Sequence, residues 1–273
     1  MPGTSSTQTS TETNKKNGHA ALITGGATRL GLSFAKALAK EGYNIALHYH
    51  SSKASAQLAK QEIEALGVSC ELFQADLSSD CPEQLMHNVV ESCPKLEVLI
   101  NSASAYDAAT IANTGRALLQ HQFAVNFFAP FMLTQAFTQL LLSKDVSTKG
   151  SIINILDNKV AFQQNDYAAY LLSKKTLTEF TRLSAVEYAP NFRINGIAPG
   201  VVLPGDERTE DYVKWRVEGI PLKQQGDVDD LVNTMNFLLN NNFITGQIIT
   251  VDGGENMNYQ GRHAEMFNQK DFS

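Results

Sequence analysis

The chain has 273 residues, 43% hydrophobic and 18% charged, with a formal net charge of −6 and no run of basic residues. That composition suits one large α/β domain or two small ones, and it offers nucleic acid or an anionic membrane surface nothing to bind. No apolar run approaches the roughly 20 residues a membrane span needs, and the odd set Cys70, Cys81 and Cys93 has no metal spacing, which points to reduced thiols in a cytoplasm.

Met1 to Gly18 is rich in Ser and Thr and lacks the apolar core of a signal peptide; a disordered tail is expected. Ala20 to Thr24 reads as a strand. A glycine turn, Gly25-Gly26-Ala27-Thr28-Arg29-Leu30-Gly31, leads into a helix to Glu41 that Gly42 ends. Asn44 to Tyr49 is a second strand and Lys53 to Leu66 a second helix. Val68 to Phe73 is a third strand, followed by Asp76-Leu77 and a helix from Pro82 to Ser92. Val98 to Ile100 opens into Asn101-Ser102-Ala103-Ser104. A long helix is expected over Leu118 to Leu142, a strand from Ser151 to Asp157, and a helix from Tyr167 to about Tyr188. A strand at Arg193 to Ile197 ends in Pro199-Gly200. Val201 to Leu222 reads as a polar, acidic loop; Val228 to Leu239 is helical, and the strand Gln247 to Val251 runs into Asp252-Gly253-Gly254. Strands and helices alternate without repeats or a linker. One parallel, doubly wound α/β sheet of about seven strands follows, with helices on both faces, over residues 19–258. Ligands bind such sheets beyond the carboxyl ends of the strands. Asp76, Asn101, Asp157 and Pro199 all lie at such ends. Residues 259–273 form a polar C-terminal tail.

The glycine turn follows the first strand and opens the first helix, where backbone N–H groups can approach a pyrophosphate. Gly25 and Gly31 fit that role, but Arg29 stands where a middle glycine is expected; its guanidinium suits a phosphate or an anionic substrate group. An NAD site carries an acidic residue ~20 residues beyond the glycines. Between Gly42 and Gln61 there is no Asp or Glu; the second strand instead ends in His48-Tyr49-His50-Ser51-Ser52-Lys53, donors that suit a 2′-phosphate. A zinc at His48 and His50 has no third ligand at useful spacing.

Tyr170 and Lys174 are four apart on one predicted helix face, thirteen residues past Asp157 at its strand exit. A phenol, an ammonium and a carboxylate therefore meet at the mouth of the sheet. A free phenol titrates near pH 10 and serves neutral turnover only if its anion is stabilised, which a neighbouring ammonium does. Lys174 is also placed to hold a cofactor ribose. In the long helix, Pro130 deprives the Asn126 carbonyl of its helical partner and leaves it to accept from water or a lysine.

With these residues in view the chain resembles a short-chain dehydrogenase/reductase over about Ala20 to Gly254. The marks are Thr24-Gly25 with Gly31, Asp76-Leu77, Asn101 to Ser104, Asn126, Tyr170 with Lys174, Pro199-Gly200 and Asp252-Gly253-Gly254. Asp157, where most of the superfamily has Ser, and Arg29, where most have Gly, are similar to pteridine reductases and dihydromonapterin (dihydrofolate) reductases. The resemblance implies a Rossmann-type fold and NADP(H) held by Gly25, Thr28, Arg29, Leu30, Gly31, the run His48 to Ser52, Asp76, Leu77, Asn101, Ala103, Ser104, Tyr170, Lys174, Pro199, Gly200 and Val201. It implies a catalytic set of Asp157, Tyr170, Lys174 and Asn126. A pterin or folate-like substrate would then touch Arg29, Ser104, Tyr106, Asp157 and Tyr170, with Tyr106 sandwiching it, and no metal takes part. Ser51 departs from relatives that carry Arg there, and Ser102 replaces a common Asn. A homotetramer packed through the Asn126 and Tyr170 helices and the last strand is implied as well, with Arg262 of the tail reaching a neighbouring site. Rival expectations are a carbonyl reductase of another branch, acting on a ketone or 3-oxoacyl thioester, and an NADP(H)-binding sensor without turnover.

Overall fold

The computed structural model describes residues 18–205, 208–257 and 267. The expected tails other than Gly18 and Phe267, Arg262 among them, lie outside those residues, as do Asp206 and Glu207. Strands β1 (Ala20–Ile23), β2 (Asn44–Tyr49), β3 (Cys70–Gln74), β4 (Leu96–Asn101), β5 (Gly150–Ile155), β6 (Phe192–Pro199) and β7 (Ile248–Val251) form one sheet in the order β3-β2-β1-β4-β5-β6-β7. Every neighbouring pair is parallel. The order reverses between β1 and β4, and a crevice opens there beyond the strand ends.

Both sheet faces are covered, so the strands read as continuous apolar runs. Ala21 and Ile23 point into one core with Phe34 and Leu38 of α1 (Arg29–Lys40), Ile63 of α2 (Lys53–Glu64) and Met235 of α8 (Val228–Asn240). Ala20 and Leu22 point into the other. There they meet Val89 of α3 (Pro82–Ser92), Phe137 of α5 (Ala129–Lys144) and Ala185 of α6 (Ala168–Glu187). Each fully buried Leu, Ile or Phe in these layers contributes about 1.5–3 kcal/mol. Together they hold the strand ends, and the side chains they carry, in register.

The long helix is longer than its expected span and is not uniform. It starts as α4 (Arg116–Phe123), widens into a π turn over Ala124–Phe128, and continues as α5. The Ala129 N–H donates to the Ala124 carbonyl, one residue further back than in an α-helix. Pro130 is the cause: it has no N–H to offer Asn126, and its ring crowds that carbonyl. Contrary to the sequence expectation, the continuous run Arg116–Lys144 is long and apolar enough by length and composition to cross a membrane. Half of its most apolar window is buried against the rest of the protein, as in a core helix.

The expected loop Val201 to Leu222 contains a helix, α7 (Glu210–Glu218). Thr209 caps it by accepting the Tyr212 N–H, and Glu210 and Asp211 sit in the first turn where the helix dipole favours them. Its sequence is too charged to show a helical apolar stripe; it buries only Trp215 and Arg216.

Candidate active site

The crevice is floored by the glycine turn. A Cβ on Gly31 would lie 2.3 Å from the Gly25 carbonyl oxygen, and one on Gly25, at φ +63°, would press on the Ala103 backbone at 3.0 Å. The turn therefore fits only glycine at both positions. Gly31→Ala is expected to weaken dinucleotide binding at least about tenfold while the purified protein stays folded, read by fluorescence titration with NADPH; unchanged affinity would show that the turn is not the cradle. Thr24, which the sequence reading did not single out as a side chain, clamps the other wall: its hydroxyl accepts the N–H groups of Ser102 and Ala103, both at 3.0 Å.

Two cavities of about 410 and 460 Å³ share Gly25, Thr28, Ala103 and Ser104 and so form one trough. Leu30, Gly31, Tyr170, Lys174, Pro199 and Gly200 line the first; His48 to Ser52, Asp76 and Leu77 line the second. The elongated shape, backed by a helix N-terminus and a turn without a Cβ at Gly25, Gly26 and Gly31, fits a dinucleotide.

At the far end the structure corrects the reading of His48. Its ring is buried, with Nδ1 accepting the Gly25 N–H at 3.1 Å and Nε2 lying 3.1 Å from the Ala75 carbonyl. Those partners fix the neutral tautomer with the proton on Nε2, and burial pulls the pKa down to about 4. Both nitrogens are committed, so His48 shapes the glycine turn and is no phosphate donor. Tyr49 is also buried, its hydroxyl directed at the Gln74 side chain at 3.4 Å. His50, Ser51 and Ser52 remain exposed at the rim. Asp76 organises the turn after β3. Hydrogen bonds from the Ser78 hydroxyl and N–H, and from Ser79, hold its carboxyl below the usual range. Among the described residues no three His, Cys, Asp or Glu side chains gather as a metal site.

Asp157, Tyr170 and Lys174 converge. The Tyr170 hydroxyl donates to Asp157 Oδ2 at 2.8 Å, while Oδ1 accepts the Lys159 N–H at 2.8 Å. Lys174 Nζ donates to the Ile155 carbonyl at 2.8 Å and lies 5.9 Å from the Tyr170 ring centre. Tyr170 is 5% and Lys174 2% exposed. Burial lowers the Lys174 pKa to about 8. The expectation that this lysine favours tyrosinate is corrected. Burial first, and the adjacent Asp157 second, raise the Tyr170 pKa well above its ordinary value. The phenol therefore keeps its proton.

Tyr106 stands over this pair. Its ring stacks on Tyr167 at 4.3 Å, meets the Tyr170 ring edge-on at 4.6 Å, and its hydroxyl accepts from Lys159 Nζ at 3.2 Å. Tyr167 was missed in the sequence; its left-handed backbone, φ 60°, could not be read there. Arg29 also has a positive φ, 51°, and its guanidinium reaches the Leu203 carbonyl across the mouth, lining both the trough and a neighbouring cavity beside Asp157. Val201 lines that neighbouring cavity with Pro199 and Gly200.

Two expected site residues stay out of the described cavities. Asn101 turns into the sheet and donates to the Asn154 side chain at 2.8 Å. Asn126 does not meet Lys174, which takes the Ile155 carbonyl instead. Its side chain is a buried hub: Oδ1 accepts from Ser104 Oγ at 3.0 Å and Ala105 N at 2.9 Å, while Nδ2 donates to Ser173 Oγ at 3.1 Å. It thus fixes the Ser104 loop against α6 without lining the trough.

A fold and site of this kind define a dinucleotide-dependent oxidoreductase, and the comparisons with known proteins agree. Residues 25–256 match the family model described as Enoyl-(Acyl carrier protein) reductase. Pteridine reductase 1 of Leishmania tarentolae is 31% identical over 278 aligned positions, covering 86% of this chain and 95% of that protein. The 3-oxoacyl-[acyl-carrier-protein] reductase FabG of Staphylococcus epidermidis is 30% identical over 240, covering 86% and 97%. The structure of FolM Alternative dihydrofolate reductase 1 from Brucella canis, complexed with NADP, superposes with a TM-score of 0.82 at 29% identity, covering 92% of this chain and 98% of that one. The Brucella suis protein, also in complex with NADP, gives 0.83 at 28%, covering 91% and 98%. The chain belongs to the short-chain dehydrogenase/reductase family of NAD(P)-dependent oxidoreductases.

Proposed function

We propose that this protein is an NADPH-dependent pteridine reductase that reduces a C=N bond of a pterin or dihydropterin, of the dihydromonapterin, dihydrobiopterin or dihydrofolate type. The observation that carries the reading is the 2.8 Å contact between Asp157 and Tyr170. Bound NADPH would supply the hydride to the carbon. The proton for the ring nitrogen comes from this chain. A Tyr170 O–H that points at a carboxylate cannot also point at a substrate, so the pair must carry two protons before turnover. Asp157, as the acid, then donates to the Tyr170 oxygen, and Tyr170 donates to the nitrogen. Lys174 holds the cofactor ribose, Tyr106 offers a ring on which a flat heterocycle stacks, and Arg29 borders both ligands. The exposed donors of His50, Ser51 and Ser52, with no acid on that strand end, favour NADPH over NADH.

The test is NADPH oxidation with dihydrobiopterin, dihydromonapterin and dihydrofolate. Inactivity on all three beside turnover of simple ketones overturns the assignment. The second reading, a 3-oxoacyl or ketone reductase, is favoured by the 30% identity to FabG proteins.

We further propose a cytoplasmic homotetramer. Its contacts would be the exposed apolar side chains of the π turn, α5 and α6: Phe128, 54% exposed, Phe131, Leu172, Leu183, 71%, and Val186, 82%. Leu183→Asp is expected to shift sedimentation from tetramer toward smaller species; a monomeric wild type would rule the assembly out.

A further inference from the structure

A cavity of about 470 Å³ opens beside the Asp157–Tyr170 pair and is roofed by α7. Its described wall carries four cationic side chains, Arg29, Lys159, Arg208 and Arg216, against the single acid Asp157. Three of these cations have partners in the cavity wall. Arg29 reaches the Leu203 carbonyl, Lys159 the Tyr106 hydroxyl, and Arg208 lies over the Tyr212 ring at 4.9 Å.

Arg216 is different. Its side chain is 4% exposed, and Nη1 lies 2.6 Å from Glu255 Oε1. That contact balances charge but lacks hydrogen-bond geometry, for Nη1 is buried without an acceptor. No other side-chain or backbone acceptor among the described residues takes a hydrogen bond from this guanidinium. Buried guanidinium donors rarely stay unsatisfied, and five N–H groups face one carboxylate here. The group cannot swing out to water. Glu255, 1% exposed, is itself fixed, with Oε2 accepting from Asn158 Nδ2 at 2.9 Å; Asn158, next to Asp157, also reaches Asp252 at 3.2 Å. A charged fork is thus held in the wall of the substrate cavity with donors to spare.

We propose that Arg216 is a specificity residue that receives a carboxylate carried on the substrate's side chain, remote from the reduced C=N bond. This rests on the pteridine reading above. A carboxylate has two oxygens matched to the guanidinium's parallel donors. Its charge also suits a described wall where cations outnumber acids even when Glu255 is counted.

The experiment separates binding from turnover. Enzyme saturated with NADP⁺, which can deliver no hydride, is titrated calorimetrically with folate, which has a carboxylate tail, and with biopterin, which has a neutral one. Folate is expected to bind at least about tenfold tighter. Arg216→Lys keeps the counter-charge for Glu255 and loses the fork; it should weaken folate about tenfold and leave biopterin within about twofold. Equal wild-type affinities, or equal weakening of both ligands as a purely structural role would give, overturn the proposal. Should that variant not fold, judged by NADP⁺ affinity, the paired change Arg216→Met with Glu255→Gln replaces it, and is read the same way: weakened folate with unchanged biopterin supports the proposal, equal effects on both overturn it. Turnover reports separately. Arg216-dependent folate binding without reduction of any dihydropterin sinks the pteridine reading and leaves this site standing. Equal kcat/KM for dihydrofolate and dihydrobiopterin in wild type and variant does the reverse.

Discussion

Asp157→Ser is expected to lower kcat for dihydropterin reduction by about 10²–10⁴-fold, the range that positioned acid–base groups supply, with little change in the affinity for NADPH. The cause is the 2.8 Å link to Tyr170. A serine hydroxyl is too short to reach the phenol from the same backbone position and carries no titrating proton. Asp157→Asn isolates the second point, since its amide restores the reach without the acid. If proton relay is what matters, both variants are slow. If Asp157 only holds the ring of Tyr170 in place, Asn recovers most of the rate. Retention of full activity by Asp157→Ser would instead favour the carbonyl reading, because family members acting on carbonyls commonly manage with an alcohol there.

How much of this could be read from the sequence depended on how local each feature is. The sheet was legible because two buried faces force unbroken apolar strands, and the helix spacing of Tyr170 and Lys174 is purely local. Asp157 is legible as a charge that ends an apolar run. His48 was misread because its role is set by three elements at once: the Gly25 N–H in front, the Ala75 carbonyl behind and the cores on either side. A polar residue at a strand end looks the same whether it faces a ligand or props up a turn. Asn101 failed in the same way, pairing with Asn154 across the sheet. Pro130 did mark the irregular turn; the Asn126 side chain within it, which the sequence did not single out, is directed at Ser104, Ala105 and Ser173. The helix α7 had a cap signal, Thr209 with two acids after it, and no apolar stripe to support it. What it buries is a guanidinium matched to Glu255, far along the chain, and no periodicity encodes that.

Lys174→Met is expected to abolish useful turnover, by about 10²-fold or more, and yet to stabilise the cofactor-free protein at neutral pH. The sign follows from the depressed pKa. Folded, Lys174 titrates at about 8; unfolded, at the ordinary lysine value of 10.5. Between those values the unfolded chain binds more protons, so this group makes stability rise with pH across the window. Below pH 8 both states are charged, and the full burial penalty applies, at most about 3 kcal/mol. Methionine removes that penalty and also the hydrogen bond to the Ile155 carbonyl, whose loss costs about 1–3 kcal/mol. The net gain at pH 7 should be about 1 kcal/mol. It should shrink above pH 8 and reverse by pH 10.5, where the folded amine is neutral, the unfolded one only half-protonated, and the lost hydrogen bond outweighs what remains of the penalty. Denaturant titrations of both proteins at pH 7 and pH 10 read the crossing. A variant less stable than wild type by the same margin at both pH values would show that the buried ammonium is compensated in the folded protein and that its low pKa is not the origin of the strain. The crossing, if found, ties catalysis to a charge that folding alone disfavours. In the folded protein the ammonium has the Ile155 carbonyl as its hydrogen-bond acceptor and the Tyr170 ring 5.9 Å away; under the proposed function a cofactor ribose would add the partner that offsets its burial.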